Sequence, residues 1–370
     1  MSNQTQNSRS WLEINLSALR SNFLCIQQTV APATIMPILK ANAYGLGLVQ
    51  IAKELASLGA DRIGLADLSE ARQLFGQVSC PLQIMGSLFP NEIPEALDLG
   101  LVCPVGDLNL AQLLSKEARQ RGVRVKVHIK IDTGMGRLGI PHFIAVETIK
   151  AIQELPNLNI EGVYTHFANA NNPSHPKTRE QISIFKQILE NTGLNQATRI
   201  HLANSDAINN FPEAYGNMVR TGINLYGVFD LLGHRAYQLH PTLSLKSRIL
   251  AVRELPAGYT IGYSCTHTLF HKTRIGTLPI GYADGIPLSA SNSGRVLVHG
   301  KECPIIGRIS MDYLTVDLSS CPQAEVGDEV VLFGESEGCK ITVEDWARIK
   351  QSHPYDIICS LGPRVQRVYV

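Results

Sequence analysis

None of the eight cysteines in this 370-residue chain stands in a Cys-x-x-Cys pair. Structural zinc sites and thioredoxin-like redox centres use that spacing, so the sequence points to neither. Scattered free thiols fit a reduced compartment, and no metal is expected. Apolar runs of membrane-spanning length are absent, and Met1 to Ser10 is a polar stretch without the apolar segment of a signal peptide. The expected location is the cytoplasm. An excess of charge is also missing: 33 Lys and Arg face 32 Asp and Glu, for a net +1. Such a chain has no overall field to gather nucleic acid or an anionic membrane, so an anionic ligand must be held by a local site.

The composition is 44% hydrophobic and 18% charged, that of a globular protein able to bury a large core. The length suggests two domains. From about residue 34 to 225, short runs rich in branched apolar residues alternate with amphipathic stretches. The runs predict strands over Thr34–Lys40, Arg62–Ala66, Leu82–Gly86, Leu101–Val105, Arg124–Ile131, Asn159–Phe167, Arg199–Ala203 and Met218–Asn224. Helical spacing between them is clearest over Val49–Leu58, Ser69–Phe75, Leu108–Arg121 and Thr178–Glu190. Eight βα units are the number that closes a (β/α)8 TIM-type barrel.

After about residue 240 helical periodicity fades. Gly and Pro break the chain into short strand-like pieces: Ser244–Glu254, Thr273–Pro279, Arg295–Val298, Cys303–Ile306, Leu314–Asp317 and Glu329–Phe333. That texture predicts a mainly antiparallel β domain. The expected division is a barrel over residues 1–240 and a β domain over 241–370, with Leu231–Pro241 as the junction. Trp11–Leu16 reads as a strand available to the C-terminal sheet.

A barrel places its chemistry at the C-terminal ends of its strands. Polar residues recur there. Lys40 closes the first strand, Lys130 and Arg137 flank the end of the fifth, and His166 ends the sixth. Asn204 and Ser205 follow the seventh, and Arg220, Thr221 and Gly222 lie at the eighth. Each alone has a structural explanation, as a solvated lysine, a satisfied histidine, an ion-paired arginine or a helix cap. Their convergence on one rim argues for a site. A lysine inside an apolar strand is disfavoured as an ammonium, and a neutral amine attacks a carbonyl to form a Schiff base. Barrels bind phosphate in the loops after strands seven and eight. There Asn204-Ser205 offers a hydroxyl at a helix start, and Gly222-Ile223 permits close backbone approach. A Schiff-base lysine beside a phosphate cradle on a barrel points to pyridoxal phosphate.

The chain resembles the alanine racemase family from Trp11 to Tyr369. The segments that carry the resemblance include Leu39-Lys40-Ala41-Asn42-Ala43-Tyr44-Gly45, Asp132-Thr133-Gly134-Met135-Gly136-Arg137, Thr165-His166-Phe167, His201-Leu202-Ala203-Asn204-Ser205 and Val219-Arg220-Thr221-Gly222. Ile261-Gly262-Tyr263, Gly281-Tyr282-Ala283-Asp284-Gly285 and Gly307-Arg308-Ile309-Ser310-Met311-Asp312 continue it in the C-terminal region. The resemblance implies a pyridoxal-phosphate enzyme that interconverts L-alanine and D-alanine by two-base proton transfer, supplying D-alanine for peptidoglycan. It implies that Lys40 carries the cofactor and acts as base on one face of the substrate, with Tyr263 as base on the other. A free tyrosine pKa of about 10 is high for that task, so cationic neighbours would have to lower it. In the family this tyrosine comes from the partner subunit, which implies a homodimer with composite sites.

By the same resemblance Arg220 faces the pyridine nitrogen, His166 touches the cofactor ring, and His201 lies behind Arg220. Tyr44, Asn204, Ser205, Gly222, Ile223 and Tyr355 match cofactor-binding positions, mostly around the phosphate. Arg137 and the backbone of Met311 match groups that take the substrate carboxylate. Lys130 matches a lysine carbamylated in many members, and Tyr282 and Asp312 fall at the access path. The sequence departs from the usual family pattern at Leu46, Thr221, Leu288 and Tyr313. None of these does chemistry, but they bear on substrate preference, and a serine or broad-specificity racemase is the alternative. Decarboxylases of ornithine or diaminopimelate share the architecture, but their glycine-rich phosphate loop and catalytic cysteine motif are missing. A non-catalytic pyridoxal-phosphate carrier would account for the barrel alone.

Overall fold

The computed structural model describes residues 8–197, 199–232, 235 and 237–370. The chain forms two compact units. One comprises the described residues of Arg20–Leu225 and Leu232–Leu239, the other those of Met1–Leu19, Tyr226–Leu231 and His240–Val370.

The first unit is a parallel barrel. Its strands, numbered within the barrel, are β1 Thr34–Pro37, β2 Ile63–Leu65, β3 Leu82–Ile84, β4 Cys103–Val105, β5 Val125–Asp132, β6 Leu158–Tyr164, β7 Arg199–His201 and β8 Met218–Thr221. Parallel pairing joins β2 to β3 and runs on through β4, β5, β6 and β7. Single bridges, Ile38 to Gly64 and Gln83 to Val102, link β1 to β2 and β3 to β4. The N–H groups of Asn217 and Arg220 donate to Ile200 and Ala203 at 3.1 and 2.9 Å, joining β8 to β7. Finally β8 pairs with β1, Met218 opposite Thr34, and the ring closes.

Local sequence explains the helices that follow the strands. Leu48–Ser57 buries Leu48, Ile51, Ala52 and Leu55, the i, i+3, i+4, i+7 stripe of a helix lying on a sheet. Asp67 caps Leu68–Leu74, Asp107 caps Leu108–Arg121, and Asn204 caps Ser205–Asn210 through side-chain oxygens that accept backbone N–H groups. The eight strands are those expected, but several end earlier. The chain leaves β1 at Pro37 rather than Lys40, and β6 at Tyr164 rather than Phe167. Leu39, Phe167 and Ile223 are buried beyond the strand ends, so the apolar runs outlast the hydrogen-bonded ladder.

The second unit is a ten-stranded, mainly antiparallel sheet. Ser10–Ile14 lies within it, antiparallel to Leu243–Arg248 and parallel to Gln366–Tyr369. The predicted strand Ser244–Glu254 is in fact two, Leu243–Arg248 and Ala251–Leu255. Ile249 donates to Asp328 and Leu250 to Thr277, so the chain changes partner at that point. Helices Val343–Lys350 and Pro354–Cys359 were not foreseen.

Candidate active site

Lys40 begins a turn that few sequences adopt. Ala41, Asn42, Ala43 and Tyr44 all have positive φ, between 53° and 61°. Left-handed backbone costs L-residues about 1–2 kcal/mol each, so four in succession must be held from outside. Asn42 Oδ1 accepts from Leu48 N at 2.8 Å, and Gly47 N donates to Asn42 O at 3.0 Å. The Glu70 carboxylate accepts from the N–H groups of Ala41 and Ala66. This corrects the picture of Lys40 inside an apolar strand. The strand ends three residues earlier, at Pro37, and Lys40 is exposed at the rim.

Lys40 lines a cavity of about 210 Å³ together with Lys130, Arg137, Tyr164, His166 and Arg220. Four of these six are cations. Lys130 is buried, donates to Met85 O at 3.0 Å and lies 5.4 Å from the centre of the Tyr164 ring. Burial, with Arg137 and Arg220 nearby, pushes its pKa down to about 8. His166 is held down to about 3, first by burial and then by Arg220 and Arg137, so its ring is neutral at physiological pH. Burial raises the Tyr164 hydroxyl well above the usual tyrosine range. Asp132 is committed to its own loop, accepting from the N–H groups of Gly134, Met135 and Gly136. Among the described residues, Lys130, Arg137 and Arg220 make no ion pair with a carboxylate. The cavity is therefore built for an anion.

Arg220 is buried and spread across carbonyls. Nη1 donates to His201 O at 2.6 Å and meets His201 Nδ1 at 3.1 Å; Nη2 donates to Thr165 O and Leu202 O at 2.8 and 2.9 Å, with His166 Nδ1 at 3.4 Å. Burial lowers its pKa to about 10, still ionised at neutral pH.

A second cluster gathers Tyr44, Ser205 and Gly222. Gly222 N donates to Ser205 Oγ at 2.9 Å. A Cβ on Gly222 would come within 2.2 Å of the Tyr44 oxygen, so only glycine lets the two approach. Asn204 Oδ1 accepts from Ala207 N at 3.0 Å and starts the next helix, while Ile223 is buried at the head of a 3-10 turn. Hydroxyls and backbone N–H groups around a bare glycine are the donor set that suits a phosphate.

Tyr263, Met311, Tyr355, Tyr282 and Asp312 lie in the β unit. Tyr263 is 72% exposed on a turn in which Ser264 has positive φ. Met311, Tyr282 and Tyr313 are also exposed, and the N–H groups of Tyr282 and Ala283 donate to Ser310 O and Met311 O. Asp312 accepts from Arg364 Nη1 at 2.7 Å, and Arg364 also holds Asp284.

Sequence reasoning missed Glu70, Tyr164 and a set toward the N-terminal end of the barrel, buried Arg62 and His128 with half-buried Glu161. A signal existed: charged residues and histidine inside or bordering apolar strands, as in Val127-His128-Ile129 and Ile160-Glu161-Gly162.

The family descriptions "Alanine racemase, N-terminal domain" and "Alanine racemase, C-terminal domain" match residues 14–230 and 242–369. The chain belongs to the alanine racemase family. The alanine racemase of Desulforamulus reducens is 39% identical over 97% of this chain and 98% of its own. A solved alanine racemase from Bartonella henselae, described as having covalently bound pyridoxal phosphate, superposes with a TM-score of 0.90 at 28% identity, covering 98% and 100% of the two chains. A histidine racemase from Leuconostoc mesenteroides has the same fold, with a TM-score of 0.89 at 27% identity over 98% of each chain.

Proposed function

We propose that this chain is a pyridoxal-phosphate-dependent racemase that interconverts L-alanine and D-alanine. The observation that carries the reading is the cavity at the C-terminal rim. Lys40, Lys130, Arg137 and Arg220 converge on it in a chain of alanine racemase sequence throughout. The residues fit the cofactor: a lysine at the rim, unpaired cations for its negative charge, and a glycine-centred donor cluster for its phosphate. When bound, pyridoxal phosphate supplies an aldehyde that condenses with amines and a conjugated ring that takes up the electron pair left by the α-proton.

The roles follow from residue chemistry. Lys40 holds the cofactor, and its Nζ exchanges the α-proton on one face of the substrate. The Tyr263 oxygen exchanges it on the other, because inversion needs proton carriers on opposite sides of one carbon. Its exposure within a single chain supports a homodimer in which Tyr263 completes the site of a second copy. Exposed Met311, Tyr282 and Tyr313 nearby in sequence or backbone pairing are the kind of apolar surface a partner covers. Arg220 keeps a full complement of hydrogens toward the ring nitrogen and so discourages its protonation. His166 contacts the ring, and His201 positions Arg220. Ser205, Gly222, Ile223, Tyr44 and Tyr355 take the phosphate, with Asn204 fixing the helix start.

Arg137 and the Met311 N–H take the substrate carboxylate, while Tyr282 and Asp312 line its approach. A pKa near 8 leaves Lys130 a usable fraction of neutral amine, which supports its conversion to a carbamate that would attract Arg137 rather than repel it. None of the eight cysteines is in a disulfide, which supports a cytoplasmic enzyme, and D-alanine for peptidoglycan is its product in this reading.

The Leuconostoc histidine racemase keeps a second reading open, because one fold serves side chains of different size. Racemisation rates on L-alanine, L-serine and L-histidine discriminate. The proposal expects L-alanine to lose its optical rotation fastest. Retained rotation of L-alanine, with serine or histidine racemised, would overturn it.

A further inference from the structure

We infer that Glu161, at the opposite end of the barrel from the cavity, fixes the tautomers of His128 and His201 and so presents Arg220 with a hydrogen-bond acceptor. Glu161 Oε2 lies 3.3 Å from His128 Nε2, His128 Nδ1 lies 2.8 Å from His201 Nε2, and His201 Nδ1 lies 3.1 Å from Arg220 Nη1. Every guanidinium nitrogen of Arg220 carries hydrogen, so His201 Nδ1 accepts. A neutral His201 then has its hydrogen on Nε2, aimed at His128 Nδ1. His128 in turn carries its hydrogen on Nε2, aimed at the Glu161 carboxylate. Each ring has one hydrogen, and each is used once.

The end groups make this order self-consistent. Burial holds both imidazoles below the usual histidine range, so neither is doubly protonated at neutral pH. The hydrogen bond from His128, against the opposing effect of burial and with Arg62 alongside, holds the Glu161 carboxyl well below the usual range. Room for the His128 ring comes from Gly162, where a Cβ would sit 2.5 Å from His128 Cε1.

Arg62 is what makes Glu161 decisive. Its Nη1 lies 2.7 Å from Glu161 Oε2, 3.1 Å from His128 Nε2 and 3.3 Å from Gln83 Oε1, three groups for two hydrogens, and a hydrogen on His128 Nε2 leaves those two for Glu161 and Gln83. Without Glu161, one of those hydrogens is free to point at His128 Nε2. His128 would then carry its hydrogen on Nδ1, His201 would follow, and a donor would face Arg220. Glu161 is thus a positioning residue acting through two rings.

Nitrogen-15 NMR of the histidine-labelled, pyridoxal-phosphate-loaded full chain reads the tautomers directly, with His128→Gln and His201→Gln assigning the signals. At pH 7 both rings should be neutral with hydrogen on Nε2. A hydrogen on Nδ1 of either ring, or a doubly protonated ring, overturns the proposal and needs no variant. In Glu161→Ala both rings should swap to the Nδ1 form, and adding Arg62→Met should swap them back. Unchanged tautomers in Glu161→Ala would also overturn it. The consequence for turnover rests on the role proposed for Arg220 and can fail separately. If the rings swap while racemisation stays constant, the tautomer proposal stands and the Arg220 role falls.

Discussion

The two ends of the barrel interior treat charge in opposite ways. Toward the N-terminal end, Arg62 and Arg199 face Asp61 and Glu161, with Arg62–Asp61 at 2.9 Å, Arg62–Glu161 at 2.7 Å and Arg199–Asp61 at 2.6 Å. Lys126 joins Glu161 as well, at 3.7 Å, so every cation of the set meets a carboxylate. At the C-terminal end, Lys130, Arg137 and Arg220 share a cavity with Lys40; among the described residues those three make no ion pair with a carboxylate, and the carboxylates of Asp132 and Glu70 accept backbone N–H groups. Paired charge holds a barrel together; cations left without carboxylates mark where a ligand brings its own negative charge.

The contrast predicts that substitutions at the two ends fail differently. Lys40→Ala should lower turnover by about 10⁴-fold or more, beyond the usual range for one acid–base group because the cofactor link is lost too. Its Tm should barely move, and a calorimetric scan beside a racemisation assay separates the two effects. Tyr263→Phe should lower kcat by about 10²–10⁴-fold while the cofactor stays bound after gel filtration. A fully active variant would mean that the barrel end is complete without the tyrosine.

At the paired end the loss should be of stability. Arg62→Met removes a buried guanidinium from half-buried Asp61 and Glu161 and should cost about 3 kcal/mol in denaturant unfolding. Gly222→Ala forces a methyl against Tyr44 and should weaken cofactor retention by about 10-fold, from a packing clash of about 1–3 kcal/mol. Equilibrium dialysis against pyridoxal phosphate reads that change.

The smallest effect concerns pH. Lys130 has a folded pKa near 8 against an ordinary 10.5, so the unfolded chain binds the extra proton between those values. Stability should therefore rise from pH 8 to 10.5, the penalty for the buried ammonium being complete below 8. Lys130→Met, compared in carbonate-free buffer, should remove that rise. An equal rise in both proteins would assign it to other groups.

Much of this was legible in the sequence because a barrel repeats one pattern eight times. Branched apolar runs mark each strand, and Asp67, Asp107 and Asn204 announce the helices after them. The rim residues were legible for the same reason, since strand ends locate them. The left-handed turn after Lys40 was not, because Ala41, Asn42 and Ala43 have no glycine-like freedom and are held by Glu70 and Leu48, distant in sequence. The break at Ile249–Leu250 was hidden because a change of strand partner leaves apolar periodicity intact. The helix Val343–Lys350 did carry a signal, the Thr342–Asp345 capping box. The relay from Glu161 to Arg220 joins residues from four strands and needs distances that spacing does not supply.

The most direct test of the account is the origin of the hydrogen in the product. In D2O, D-alanine formed at early times from L-alanine should carry deuterium at its α-carbon in nearly every molecule, because the group that delivers it on one face is not the group that removed the original proton on the other. D-alanine that retains the substrate's own hydrogen would mean a single base working on both faces. That result would contradict the pairing of Lys40 with Tyr263.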